Sequence, residues 1–329
     1  MPPSSSPSVA RRAFLGGAFA AAVGAATTVV TPAHADPLPA PRPTDLIAWH
    51  EVDLVGASPY ATAVTTDATG SVWYAEGSDL AVVLLDPLGG GRTIFPTGEP
   101  STSLAVTPDG RLWLNSATGP AIGVLDPAVG VVAWHTVPAV ATALAVSPTG
   151  TVWFADQTHG AIASIDSSGT VTSVTVPGSP SVAGLSVAGD GTVWTWDFGS
   201  SDIFRYDPVA GTFAVFTTPL LGVTGLTADA SGSVWVGGAG TVLELALDGS
   251  TRSTIALPPA PGTPRMLVAG VHAPLYFRVT DLGIGRVNPD RTLTFMLPPF
   301  EKAAPMGLAV TPAGSVWFLH RFRETIGWF

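Results

Sequence analysis

A chain of 329 residues with 46% hydrophobic and only 12% charged side chains can bury a large core, and its 37 glycines and 31 prolines suit short strands joined by tight turns. It has no cysteine, which excludes a disulfide framework and thiolate chemistry. A formal net charge of −10 argues against a nucleic-acid partner or an anionic lipid surface.

The first segment is not expected to belong to the fold. Arg11-Arg12-Ala13-Phe14-Leu15 stands ahead of an apolar run from Gly16 to Val30, and Ala33-His34-Ala35 then offers a small-x-small cleavage site. Residues 1–35 read as a twin-arginine signal peptide, so the mature chain is expected to be secreted, extracellular or cell-wall associated, with no membrane segment. Cleavage would leave 12 basic and 24 acidic residues. Residues 36–45 read as a proline-rich spacer, extended where Pro follows Pro at short intervals.

From Leu46 onward the chain repeats. A marker aromatic falls at Trp73, Trp113, Trp153, Trp194, Trp235, Tyr276 and Trp317, in steps of 40 or 41 residues. A period near forty with strand-like content signals a radial β architecture. The unit is clearest over Ala141–Asp166: an apolar run at Leu144-Ala145-Val146, a turn at Thr149-Gly150, a second run holding Trp153, a polar loop, and a third run ending at Asp166. A glycine stands three residues before the aromatic at Gly70, Gly110, Gly150, Gly191, Gly232 and Gly314, where a tight hairpin needs positive φ. An aspartate marks a second turn at Asp86, Asp126, Asp166, Asp207 and Asp248. Each unit therefore reads as four strands, a to d. The sixth is irregular, with Tyr276 for Trp and no turn glycine.

The last repeat stops at Phe329 after strand c. Leu46–Leu54 (LIAWHEVDL) resembles the strand d segment Val131–Val137 (VVAWHTV), so the N-terminal strand is predicted to complete blade 7 and close the ring. The predicted fold is all-β: a seven-bladed β-propeller over residues 46–329, a monomer with four-stranded blades. The recurring Trp is expected to pack between blades.

Hairpin topology places the a–b and c–d turns at one end of the ring and the b–c loops and d–a links at the other. The start of strand a and the end of strand b then meet at one mouth of the channel, the natural place for a site. Eleven residues before the aromatic the chain has Thr62, Thr102, Thr142, Ala183, Thr224, Arg265 and Met306. Three residues after it come Glu76, Ser116, Asp156, Asp197, Gly238, Val279 and His320. Three carboxylates and a histidine in one ring fit an acid/base pair or a divalent-cation site for Mg²⁺ or Ca²⁺; they equally fit a hydrogen-bonded belt at the strand ends. His50 and His135, beside Trp49 and Trp134 in equivalent outer strands, read as structural. His159 lies in a b–c loop, and His272 on the opposite end.

The runs LAVTPDGRLWL, LAVSPTGTVWFAD and GLAVTPAGSVWFL, followed by IGVLDP or AIASID, resemble the virginiamycin B lyase (streptogramin lyase) family over about residues 46–329. The resemblance implies a seven-bladed propeller. It also implies a Mg²⁺-assisted elimination across an ester, carried by a Glu-Pro-His at the start of a strand a and an acid just after Trp-Phe. Here Ala304-Pro305-Met306 stands in the first place, and Leu319, His320 and Arg321 in the second.

The expectation is a secreted propeller of this family without the streptogramin lyase constellation. It would bind a small molecule, a peptide or a cell-wall glycan at the channel mouth through Asp156, Asp197, Arg265, Thr62, Thr102, Thr142, Thr224 and Arg321. The alternative is an active metal-dependent C–O lyase or lactonase-type hydrolase, with His320 as base opposite Glu76 across the seam between blades 7 and 1.

Overall fold

The computed structural model describes residues 48–54, 60–86, 91–178, 181–258, 263–270, 275–279, 283–296, 305–320 and 324–329, all within the compact unit Pro41–Phe329. The expected signal peptide and spacer lie outside the described residues, as do His272, Ala304 and Arg321.

Seven four-stranded antiparallel sheets follow one another around a ring. Blade 3 is representative, with strands at Leu144–Val146, Val152–Asp156, Ala161–Ile165 and Val171–Thr175. Six blades use four consecutive strands. In the seventh, Pro305–Val310, Val316–His320 and Thr325–Trp328 are completed by His50–Asp53 from the other end of the chain. The register runs from His50↔Trp328 to Asp53↔Thr325. The N-terminal strand therefore closes the ring as the sequence predicts. Its ladder spans four residues, inside the predicted Leu46–Leu54, whose first two residues lie outside the described ones.

The turns obey the glycine rule. Gly70, Gly110, Gly150, Gly191, Gly232 and Gly314 all sit at φ between 79° and 90°, left-handed space that a Cβ disfavours. The aromatic of strand b then enters the seam with the following blade. Trp73 packs with Leu112 and Leu114, Trp113 with Phe154 and Ile165, and Trp153 with Leu185 and Val193. The series continues around the ring until Trp317 packs with Val72 and Tyr74 of blade 1. Residues one step off the Trp point the other way, because side chains alternate across a strand. Phe154 thus faces blade 2 and Phe318 faces blade 6.

Candidate functional site

The start of strand a and the end of strand b are register partners. The pairs are Ala61↔Glu76, Val182↔Asp197, Pro264↔Val279 and Pro305↔His320. The two rings identified in sequence do share one end of the channel. Alternation then decides where their side chains go. The residue three after the aromatic is on the face opposite to it, so it enters the seam with the preceding blade. Glu76 enters the seam with blade 7, Asp156 that with blade 2, Asp197 that with blade 3, and His320 that with blade 6. The ring is distributed one residue per seam. Among the described residues, no three of His, Asp and Glu are placed to hold one metal ion.

Each acid also has work in its own loop. Asp197 accepts the Ser181 amide at 2.7 Å and the Ser200 amide at 2.8 Å. Burial acts to raise its pKa, but the bonds from Ser200 and Ser181 outweigh it and hold the carboxyl below its ordinary range. Asp156 accepts the His159 amide at 3.0 Å and meets its ring Nδ1 at 2.8 Å. Glu76 accepts the Tyr60 amide on Oε1 at 2.8 Å, while its Oε2 has no hydrogen-bond partner among the described residues, and the residue is only 2% exposed. Burial pushes Glu76 up to about 7, with the nearby Asp79 and Glu324 charges adding to it and the Tyr60 and Ser78 amides opposing.

His320 does not meet Glu76. It turns to its own blade's outer strand, with Nε2 3.1 Å from Glu51 Oε1, an oxygen that also accepts Thr325 Oγ1 at 3.0 Å. The expectation of an acid/base pair across the seam between blades 7 and 1 assumed that both side chains enter that seam. Only Glu76 does.

Two of the threonines at the start of strand a, Thr62 and Thr224, tie blades together. Thr62 Oγ1 donates to the Ser101 carbonyl of blade 2, and Thr224 Oγ1 to the Pro264 carbonyl of blade 6. Thr102 accepts Asn115 Nδ2 at 3.0 Å. Thr142 is exposed and its amide bonds the Ala155 carbonyl at 3.1 Å. Arg265 is exposed at the mouth. Met306 is partly buried and presents a thioether where the resemblance implies an imidazole. Hard cations such as Mg²⁺ take oxygen ligands. With Met306 and Leu319 in the implied positions and the acids dispersed, these residues do not fit the family's cation.

What the sequence reading missed is apolar. Tyr60 is 54% exposed, Phe198 70% and Leu221 83%. All three lie on b–c loops or d–a links, and exposed Leu80, Val140 and Met266 lie at the same end. Tyr60 lies directly over Gly77, where an added Cβ would come within 2.5 Å of its ring. A signal existed for Phe198. The equivalent position one residue past the ring of acids holds Gly77, Ala117, Gln157 and Ala239 in other blades.

Two cavities open at the opposite end. One of about 400 Å³ is ringed by the ends of strand a in blades 1 to 5; the other, of about 460 Å³, lies over the turns of blades 2 and 3. Their acids belong to turn architecture. Asp67 and Asp229 accept the amides of their own turns and the indoles of Trp73 and Trp235.

Residues 141–329 match the model of the virginiamycin B lyase family. Solved structures share the fold. The virginiamycin B lyase of Staphylococcus aureus superposes with a TM-score of 0.75 at 19% identity, covering 85% of this chain and 98% of that one. A streptogramin B lyase gives 0.74 at 21% identity, with 85% and 97% covered. The hydrazine synthase of Kuenenia stuttgartiensis gives 0.70 at 16% identity, with 82% and 95% covered. These identities carry the fold alone, and that a hydrazine synthase shares it separates fold from chemistry. A comparison with curated protein sequences returned no match. On the extent of the family match, and with seven blades of the same repeat, the chain belongs to the virginiamycin B lyase family.

Proposed function

We propose that this chain is a binding propeller of the virginiamycin B lyase family, exported by the twin-arginine route, that lacks the family's streptogramin lyase constellation. It takes a small molecule or peptide with an apolar body, or a glycan offering an apolar sugar face, at the mouth formed by the b–c loops and d–a links. One observation carries this reading. The exposed aromatic side chains Tyr60 and Phe198, with Leu221, all lie at that end, while the acids of the same end are spent on their own loops or buried in separate seams. Large apolar groups exposed together on a soluble domain mark interaction sites.

The test is direct. The full chain is titrated with an apolar fluorescent probe, N-phenyl-1-naphthylamine, and with a panel of cyclic depsipeptides and lactones. The binding reading expects probe affinity that falls about tenfold in the Phe198→Ser Leu221→Ser double variant, and no turnover of any panel member. Turnover, or probe binding indifferent to both substitutions, would sink it.

A second reading has its own observation. Glu76 is buried, has one carboxylate oxygen without a partner among the described residues, and titrates near neutrality. Such a group is poised to act as a general base in a C–O lyase or lactonase-type hydrolase. This reading expects turnover on the same panel that Glu76→Gln abolishes.

A further inference from the structure

The cavity of about 460 Å³ at the turn end of the ring singles out one seam. It lies between the a–b turns of blades 2 and 3 and the c–d turn of blade 3, and its size is that of a small-molecule site. The two a–b turns touch there: a Cβ added at Gly150 would lie 3.7 Å from Pro108 Cδ. Trp113, in strand b of blade 2 (Leu112–Asn115), forms part of the wall. Comparison between blades shows what its indole lacks. Six residues before the marker aromatic, blades 1 and 5 carry Asp67 and Asp229, whose carboxylates accept the Trp73 and Trp235 indole N–H groups at 3.4 and 2.8 Å. In blade 4, Trp194 Nε1 donates to Thr192 Oγ1 at 3.0 Å. Blade 2 has Thr107 at the position of the acid, and its hydroxyl is engaged by Asp109 Oδ1 at 2.5 Å and the Arg111 carbonyl at 3.0 Å.

The Trp113 N–H therefore has no partner among the described residues, whereas a buried indole N–H normally finds one. Trp153 and Trp317 also lack the acid, with Ser147 and Thr311 in its place, and Trp317 Nε1 is sealed without a partner. Trp113 Nε1 is not sealed, and among the marker aromatics Trp113 is the one on the wall of this cavity. The repeat aims it there. The Trp73 and Trp235 indoles point to the residue six before them, and in blade 2 both that residue, Thr107, and Trp113 line the cavity. The rest of the wall mixes apolar rings with neutral hydrogen-bonding groups. Pro108 and Pro148 are exposed on adjacent turns, where blades 1, 4 and 5 have Ala68, Gly189 and Ala230. Thr149, Ser167 and Thr170 are exposed beside them. The cation of the wall, Arg111, is held by Asp109 at 2.5 Å, and Asp166 adds a negative charge, so an anion is disfavoured.

We propose that this cavity is a second binding site, separate from the mouth, and that it takes a neutral sugar of about disaccharide size. The Trp113 N–H donates to an oxygen of the sugar, the serine and threonine hydroxyls both donate and accept, and the proline rings meet its C–H face. The site stands on different residues from the mouth and does not depend on what the mouth binds.

The full chain, labelled with nitrogen-15 at its tryptophans, is titrated with maltose, cellobiose and N,N′-diacetylchitobiose, and with glucuronic acid as the anionic comparison. The Trp113 indole N–H resonance is assigned by its loss in Trp113→Phe, which keeps an aromatic in the seam. It is expected to move and to half-saturate below about 50 mM with at least one of the three neutral sugars. Glucuronic acid should leave it in place. Thr107→Asp with Asp109→Ser gives blade 2 the pair that blade 5 carries at Asp229 and Ser231, and so gives the indole an internal acceptor. That double variant should keep the parent's fold by circular dichroism and bind the sugar about tenfold more weakly. Ser167→Trp, at an exposed turn position, fills the cavity and should act alike. Phe198→Ser Leu221→Ser should leave the titration unchanged. The proposal is overturned if no neutral sugar gives a saturable shift by about 50 mM, if glucuronic acid moves the resonance equally, or if both cavity variants bind like the parent. A shift that vanishes in the Phe198→Ser Leu221→Ser variant would place the sugar at the mouth and overturn it too.

Discussion

Glu76 shows how one buried carboxylate couples function to stability. Its pKa is raised from 4.5 to about 7, chiefly by burial. In the folded chain it therefore holds its proton between these values, while the unfolded chain releases it. Stability contributed by the neutral form is present below about 4.5 and is lost as pH rises toward 7. Glu76→Gln removes this dependence. The variant is expected to gain stability relative to the parent between pH 5 and pH 8, by up to about 3 kcal/mol, as read from urea denaturation at the two pH values. A constant difference across that range would show that Glu76 titrates normally. The second residue-scale case is Glu244, buried in blade 5 and held by Arg291 Nε and Nη2 at 2.7 and 2.6 Å, with Ser233 and Ser253 donating to its oxygens. Opposite the marker aromatic, where Glu244 pairs with Trp235, blades 1 and 2 hold the apolar Leu84 and Val124, and blades 3 and 4 hold Ser164 and Arg205. Arg291→Ala should cost about 3 kcal/mol by leaving a buried charge unpaired, and adding Glu244→Ile should recover most of it. Denaturation midpoints of the single and double variants measure both effects. If the double variant is no more stable than the single, the burial cost was misjudged.

At the scale of the element, the b–c loops and d–a links carry what the strands do not. Tyr60 is placed by its own chain: its amide donates to Glu76, its carbonyl accepts the Gly77 amide at 3.0 Å, and its ring covers Gly77. A Cβ at Gly77 would strike the ring, so Gly77→Ala should swing Tyr60 off the loop with little effect on the strands. The expected outcome is a threefold to tenfold change in affinity for N-phenyl-1-naphthylamine with a melting temperature within about 3 °C of the parent. A large melting shift would instead make Gly77 a core residue. The threonine ties work at the same scale. Thr224→Val removes a hydroxyl that bridges blades 5 and 6, and should cost about 1 kcal/mol. The repeat made the strands legible, because every blade needs the same apolar runs and turn glycines. The loop residues do not follow the repeat: Phe198 was legible only as a departure from Gly77, Ala117, Gln157 and Ala239, and Leu221 lies on a link whose place the repeat does not mark.

At the scale of the whole propeller, closure is the main device. The strand His50–Asp53 supplies the fourth strand of blade 7, and Leu54 donates its amide to the Glu324 carbonyl at 2.7 Å. Glu51 in that strand also holds His320 and Thr325. A chain beginning after residue 54 leaves the Thr325–Trp328 edge unpaired and uncovers Trp328, which stacks with Trp317 at 4.5 Å and with His50 at 5.0 Å. Such a chain is expected to melt at least 10 °C lower and to aggregate as its open edge finds partners. A truncated chain as stable and as soluble as the parent would mean that the seventh blade closes without its fourth strand.

The sequence by itself determined the number of blades, the hairpin turns and the identity of the closing strand. These are properties of each repeat taken alone: a period, a glycine where φ must be positive, and an aromatic that every seam needs. It also brought the start of strand a and the end of strand b to one mouth, since hairpin topology requires it. Only the tertiary structure decided which seam each side chain enters. Glu76, Asp156, Asp197 and His320 occupy one ring in sequence, but alternation across strand b sends each toward a different preceding blade. His320 therefore meets Glu51, and Glu76 is left among backbone amides and neighbouring acids. The cavity beside Trp113 likewise needs the turns of two blades to meet, and no spacing in the chain announces it.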